Sequence, residues 1–201
     1  MKRIVLFSQP SENNMDKLIK NLFPQEMENK VIAYMPTDGH LTKQKYTDYW
    51  CILAEKNNCK FVFVDNMILG EESKIENSNI LLITGGNTFE LLNNLRNSKL
   101  EKAIINFAEK EEFVLAGFSA GAIVLSPNIN IASQPSGIDP TDMMDENLVG
   151  VTDMTGLNII DFEVWPHFYA EYDQKTLDKY QNMCPNKVVT LGDNEIRVVE
   201  K

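Results

Sequence analysis

Residues 113–125 read Phe-Val-Leu-Ala-Gly-Phe-Ser-Ala-Gly-Ala-Ile-Val-Leu, a Gly-x-Ser-x-Gly pattern centred on Ser119 with an apolar run on each side. A serine hydroxyl is a weak nucleophile. It becomes useful when a base takes its proton and donors receive the charge that develops on the attacked carbonyl oxygen. A sharp strand-to-helix turn suits both needs, because it lifts the hydroxyl out of the carboxyl edge of a sheet and aims the N–H of Ala120 at an oxyanion. Such a turn needs small neighbours, and Gly117 and Gly121 are those neighbours. The pattern alone also fits a plain turn in which Ser119 only caps a helix. The strand before it and the Ala-Gly-Ala after it favour the nucleophile.

A second pattern lies in residues 80–89, Ile-Leu-Leu-Ile-Thr-Gly-Gly-Asn-Thr-Phe. Here an apolar run ends in Gly85 and Gly86 and leads into a helix that Asn87 and Glu90 would cap. Free N–H groups in such a turn can face a phosphate or a developing oxyanion. Neither a dinucleotide fingerprint nor a phosphate-binding Gly-Lys-Ser/Thr loop is present. By itself this turn is as well explained structurally; beside a serine elbow in one sheet it is a candidate oxyanion donor.

The chain has two histidines, so the choice of general base is almost binary. His40 lies in a polar Thr-Asp-Gly-His turn, where a solvated role fits better. His167 follows a late apolar run in Val-Trp-Pro-His-Phe-Tyr, and the carboxyl end of a strand is where a doubly wound fold gathers its site. A triad also needs an acid to orient the base. Between Ser119 and His167 stand Asp139, Asp142, Asp145, Glu146, Asp153 and Asp161, and residue type alone does not choose among them.

The elements that must position these groups alternate. Short β-branched and aromatic runs at residues 4–7, 31–35, 61–64, 80–83 and 113–115 read as buried strands. Helical patterns at 15–22, 43–56, 88–95 and 100–110 separate them, the second with Tyr46, Tyr49, Trp50 and Leu53 on one face. This predicts a parallel sheet covered on both sides. Residues 126–158 are rich in Asn, Asp, Ser, Pro and Gly and read as a long loop of the kind that carries function. A strand near 163–165, a helix near 174–183 and strands at 187–191 and 196–199 follow, with Gly192-Asp193-Asn194 as the turn between the last two. No repeat or linker interrupts the chain, which predicts one domain over residues 1–201.

Composition narrows the partners. The 201 residues are 43% hydrophobic, enough for a real core, and 19 basic against 29 acidic side chains give a net charge of −10. That balance argues against nucleic acid and anionic membrane as partners, since phosphate binding wants a basic face. The apolar start at residues 4–7 is too short for a secretory signal, and three cysteines without a Cys-x-x-Cys spacing indicate neither a disulfide framework nor zinc. The expectation is a cytoplasmic protein needing no metal or organic cofactor, with room for a homodimer.

At three pieces, Gly85-Gly86-Asn87-Thr88-Phe89, Gly117-Phe118-Ser119-Ala120-Gly121-Ala122 and Pro166-His167-Phe168, the sequence resembles the dipeptidase E family of serine peptidases, whose relatives include cyanophycinases. The resemblance spans roughly residues 80–170. It implies a three-layer α/β/α fold like class I glutamine amidotransferases, with a central, mostly parallel, flavodoxin-like sheet. It implies Ser119 as nucleophile, His167 as base, and the N–H groups of Gly86 and Ala120 as the oxyanion hole, with Gly85, Asn87 and Thr88 against the substrate. Family members remove an N-terminal aspartate from dipeptides or cut β-aspartyl chains, so the resemblance implies a small peptide as substrate.

Two departures stand out. The family's triad aspartate lies in an Asn-Asp-Met stretch after the nucleophile; a gap-free placement puts Gln134 there, while a longer loop places Thr141-Asp142-Met143 on it and makes Asp142 the third member. The aspartyl-dipeptidase branch also holds the substrate carboxylate with an arginine on the helix after the histidine. This chain has only Arg3, Arg96 and Arg197, and that helix offers Lys175 and Lys179 instead, so preference for aspartate is expected to be weak. An esterase of the α/β-hydrolase fold fits less well, because the interval from Ser119 to His167 leaves little chain for its extra strands. A glutamine amidotransferase would carry cysteine at the elbow. A non-catalytic anion binder at Gly85-Gly86 would leave Ser119 and His167 out of mutual reach.

Overall fold

The computed structural model describes residues 1–137 and 143–201. In chain order the first half runs β1 (Lys2–Phe7), α1 (Met15–Leu22), β2 (Val31–Met35), α2 (Gln44–Lys56), β3 (Lys60–Phe63), α3 (Glu72–Glu76) and β4 (Ile80–Ile83). Next come α4 (Thr88–Ser98), α5 (Leu100–Phe107), β5 (Phe113–Phe118) and α6 (Ala120–Ile123). After the long loop follow β6 (Phe162–Trp165), α7 (Ala170–Met183), β7 (Lys187–Thr190) and β8 (Ile196–Glu200).

Six strands form one sheet in the order β3-β2-β4-β5-β1-β8. All neighbours are parallel except β8, which runs antiparallel to β1. Strand periodicity of two sorts the side chains to opposite faces. Ile4, Leu6, Leu81, Ile83 and Leu115 join a core built with α4, α5 and α6. Val5, Phe7, Ile32, Leu82 and Val114 join the other, with α1 and α2. All four residues of β4 have no solvent exposure, each burial being worth about 1.5–3 kcal/mol. This is the three-layer, mostly parallel architecture expected from the alternation, and it is no barrel.

Several local expectations need adjustment. Trp50 is buried on α2, but Tyr46 and Tyr49 are about half exposed and turn toward a cavity at the sheet's edge rather than into the core. The last two strands do not form a hairpin. β7 pairs with β6 in a separate two-stranded parallel sheet, while β8 closes the main sheet beside β1. The reason is the outer edge of β1, which would otherwise stay unpaired; Arg3 and Glu200 also meet there at 2.8 Å. The loop after α6 doubles back on itself through an Asn128–Thr155 bridge, and Arg96 of α4 ties it down at the carbonyls of Asp153 and Thr155. Among the described residues no helix is long and apolar enough to cross a membrane.

Candidate active site

β5 ends at Phe118, and Ser119 follows with φ 50° and ψ −121°, a conformation that non-glycine residues rarely adopt. Close approach of three chain segments explains the glycines around it. A Cβ on Gly121 would stand 2.3 Å from the Ile83 carbonyl oxygen, and one on Gly117 would stand 2.4 Å from that of Gly121. The N–H of Ser119 donates to the Phe7 carbonyl at 3.1 Å, which fastens the elbow to the end of β1. The elbow therefore sits in the middle of the sheet's carboxyl edge, between β4 and β1.

At the end of β4, Gly86 has φ 148°, and a Cβ there would meet the Thr37 side chain at 2.7 Å. Thr37, just past β2, fixes this turn by donating from its hydroxyl to the Thr84 carbonyl at 3.0 Å. Among the described residues neither the Gly86 N–H nor the Ala120 N–H meets a protein acceptor. Asn87 caps α4 as its position suggested, its Oδ1 accepting from the N–H groups of Phe89 and Glu90 at 3.0 Å each.

His167 lies two residues beyond β6, also at positive φ (55°). One buried side chain holds it there. Its N–H donates to the Ser8 hydroxyl at 2.9 Å, and that hydroxyl donates to the Leu191 carbonyl at 2.9 Å, so Ser8 at the end of β1 joins the β6 and β7 loops. The imidazole Nε2 is 3.2 Å from the Ser119 Oγ, and Nδ1 is 2.7 Å from Oδ1 of Asp193. The other carboxylate oxygen of Asp193 accepts from the Tyr169 hydroxyl. Burial alone would raise the Asp193 pKa, but the hydrogen bonds from Tyr169 and His167 outweigh it and hold the carboxyl below its usual value. An ionised carboxylate only accepts, so Nδ1 carries the ring proton and Nε2 presents its lone pair to Ser119.

The structure thus brings Ser119, His167, Gly86 and Ala120 together, but the carboxylate hydrogen-bonded to the histidine is that of Asp193, read from the sequence as a turn residue. Asp142 and Asp139 lie outside the described residues. Asp145 accepts from the N–H and hydroxyl of Thr88, and burial raises its pKa against those bonds. Asp153 pairs with Arg96, Asp161 is exposed, and the Glu146 carbonyl takes the Asn87 amide. Gln134 binds its own turn at the Asn130 carbonyl. Of the residues expected against substrate, Gly85 and Asn87 line a cavity of about 540 Å³ beside the elbow, whereas Thr88 is fully buried under it on Asp145. His40 is set apart, paired with Asp65 at 2.7 Å. Asp193 could have been found by one signal: it follows β7, whose carboxyl end faces the same edge as that of β6. Ser8 offered none.

The fold and its elbow define a doubly wound α/β protein with a Ser-His-Asp hydrogen-bonded chain at the carboxyl edge of its sheet. Residues 5–196 match the model of peptidase family S51, and the chain belongs to that family and is a peptidase. It is 26% identical over 195 residues to the uncharacterized peptidase PM1590 of Pasteurella multocida, covering 88% of each chain. It is 27% identical over 174 residues to peptidase E of a Nostoc species, covering 83% of this chain and 66% of that one. A solved structure from Listeria monocytogenes EGD-e whose description names peptidase E superposes with a TM-score of 0.75 at 24% identity, over 100% of this chain and 98% of the other. A peptidase from an acI-B1 Actinobacterium superposes with a TM-score of 0.67 at 17% identity, over 99% and 83%. Both share the fold.

Proposed function

We propose that this peptidase is a serine hydrolase acting on small peptides, with Ser119 as nucleophile, His167 as general base and Asp193 as the acid that orients it. Ser119 Oγ attacks the scissile carbonyl carbon while Nε2 takes its proton. The carbonyl π electrons move onto oxygen, where the N–H groups of Gly86 and Ala120 receive the charge. Collapse breaks the C–N bond, the imidazolium returns the proton to the leaving amine, and water repeats the cycle on the acyl-serine. The observation that carries this reading is the continuous chain from Ser119 Oγ through His167 to Asp193, at 3.2 and 2.7 Å, on a backbone held at positive φ. The same contact disfavours the anion-binder alternative, which needs Ser119 and His167 apart.

A fluorophosphonate probe tests it directly. Ser119 should label in the native chain and Ser119→Ala should neither label nor hydrolyse dipeptides, with an unchanged melting curve. Wild-type turnover by Ser119→Ala would remove Ser119 from the mechanism.

A further inference from the structure

The cavity beside the elbow has a composition that the hydrolytic chemistry does not explain. Tyr34, Tyr46, Tyr49, Trp50 and Phe118 form its walls, and among the described residues Asp38 and Glu90 are its only ionisable carboxylates. Among the described residues no lysine, arginine or histidine lines it. Its walls are preorganised: the Trp50 ring stacks on Phe118 at 6.3 Å between centroids and meets Tyr49 edge-on at 5.4 Å. Its volume of about 540 Å³ lies within the usual range for small-molecule sites, about 300–1,000 Å³.

Its position says which part of a peptide would enter. In the sheet order, β2 and β4 lie on one side of the elbow and β1 and β8 on the other. Most of the cavity is built on the β2 and β4 side, from Tyr34, Thr37 and the Thr84–Gly86 turn, while Gln9 and Pro10 after β1 form its border toward His167. His167 is tied to the opposite side, through Ser8 after β1 and Asp193 before β8. A base that returns its proton to the leaving amine must face that amine. The acyl residue then points away from His167, into the aromatic cavity.

Charge sets the rest. Neither Asp38 nor Glu90 has a cationic partner among the described residues. The three arginines are engaged elsewhere, on Glu200, on Asp153 with Glu101, and over the Phe162 ring. Lys175 and Lys179 lie exposed on α7 and do not line the cavity. An aspartyl side chain would enter beside two like charges with nothing to neutralise it, whereas a free α-ammonium would find two carboxylates and an aromatic ring wall.

Resting on the serine-peptidase reading above, we propose that the cavity receives the N-terminal residue of a short peptide, that this residue is aromatic or large and apolar, and that Asp38 and Glu90 receive its α-ammonium. The test is kcat/KM for Phe-Ala, Leu-Ala, Ala-Ala, Lys-Ala, Asp-Ala and N-acetyl-Phe-Ala, with enzyme concentration set by fluorophosphonate titration of Ser119. Phe-Ala and Leu-Ala should exceed Asp-Ala at least tenfold, and acetylation of Phe-Ala should lower the value at least tenfold. Tyr49→Ala, a substitution at a half-exposed site, should shrink the ratio of Phe-Ala to Ala-Ala several-fold. Asp38→Asn with Glu90→Gln should shrink the ratio of free to acetylated Phe-Ala. Faster cleavage of Asp-Ala or Lys-Ala, indifference to acetylation, or no cleavage by an enzyme that labels would overturn this inference and leave Ser119 as the nucleophile. Absence of both labelling and hydrolysis would overturn the serine-peptidase reading together with it.

Discussion

Replacing Asp193 by asparagine changes one atom at the far end of the Ser119–His167 chain. The carboxylate now accepts twice, from the His167 Nδ1–H at 2.7 Å and from the Tyr169 hydroxyl. An amide has one oxygen. Because a phenol can donate or accept, the amide satisfies Tyr169 in either orientation, so nothing local forces its oxygen toward the imidazole. With the NH₂ toward His167, Nδ1 becomes the acceptor, the ring proton moves to Nε2, and Ser119 faces a donor in place of a base. With the oxygen toward His167 the tautomer survives, but the charge opposite the imidazolium is lost. That charge is worth about 4 kcal/mol at about 4 Å and an effective dielectric constant of about 20, or about three decades of rate. Side-chain exposures of 38% for His167 and 24% for Asp193 admit solvent screening and reduce it. The tautomer change acts the other way, toward the loss of about 10⁴ seen for this exchange in serine proteases. The expected loss is about 10²–10⁴-fold. The second-order rate of fluorophosphonate labelling at Ser119 measures it without a known substrate, and a thermal melt checks that the fold survives. A rate for Asp193→Asn within threefold of wild type, with a hundredfold loss for Asp142→Asn, would refute the assignment.

Three further outcomes follow from the same geometry. Ser119→Gly should be more stable than Ser119→Ala by about 1–2 kcal/mol, a rise of about 2–8 °C in Tm, because glycine relieves a backbone strained at φ 50° and both changes remove the same hydroxyl. Gly121→Ala should destabilise the fold by about 1–3 kcal/mol or more in urea melts, since its Cβ would lie 2.3 Å from the Ile83 carbonyl oxygen and backbone must shift. The Asp193 carboxyl is held below its unfolded value of about 3.9, so its contribution to stability is complete above that pH and lost as pH falls through the folded value. The stability gap between wild type and Asp193→Asn should therefore narrow as buffers are taken from about pH 5 downward; a widening gap would reverse the sign of the linkage.

The turns that carry Ser119 and Gly86 were legible in the sequence because their geometry is local. A strand run, a small-residue turn and a helical start within a dozen residues already dictate an elbow, and paired glycines before Asn87 dictate a capped turn. The parallel sheet was equally legible from the spacing of apolar runs, since a short β-branched segment between helices has little choice but burial. His167 was legible by scarcity. Asp193 was not, because the carboxylate that meets Nδ1 is chosen by distance and not by residue type, and it follows the histidine in the chain instead of lying between Ser119 and His167. The pairing of β7 with β6 and of β8 with β1 brings residues 167 and 193 to one edge, and the partnership of β1 with β8, separated by most of the chain, is a tertiary decision. Ser8 belongs to the same class, a buried hydroxyl whose two partners lie at His167 and Leu191. So do Tyr46 and Tyr49. Periodicity puts them on one face of α2, but only the sheet's edge beneath that face decides whether it meets core or cavity.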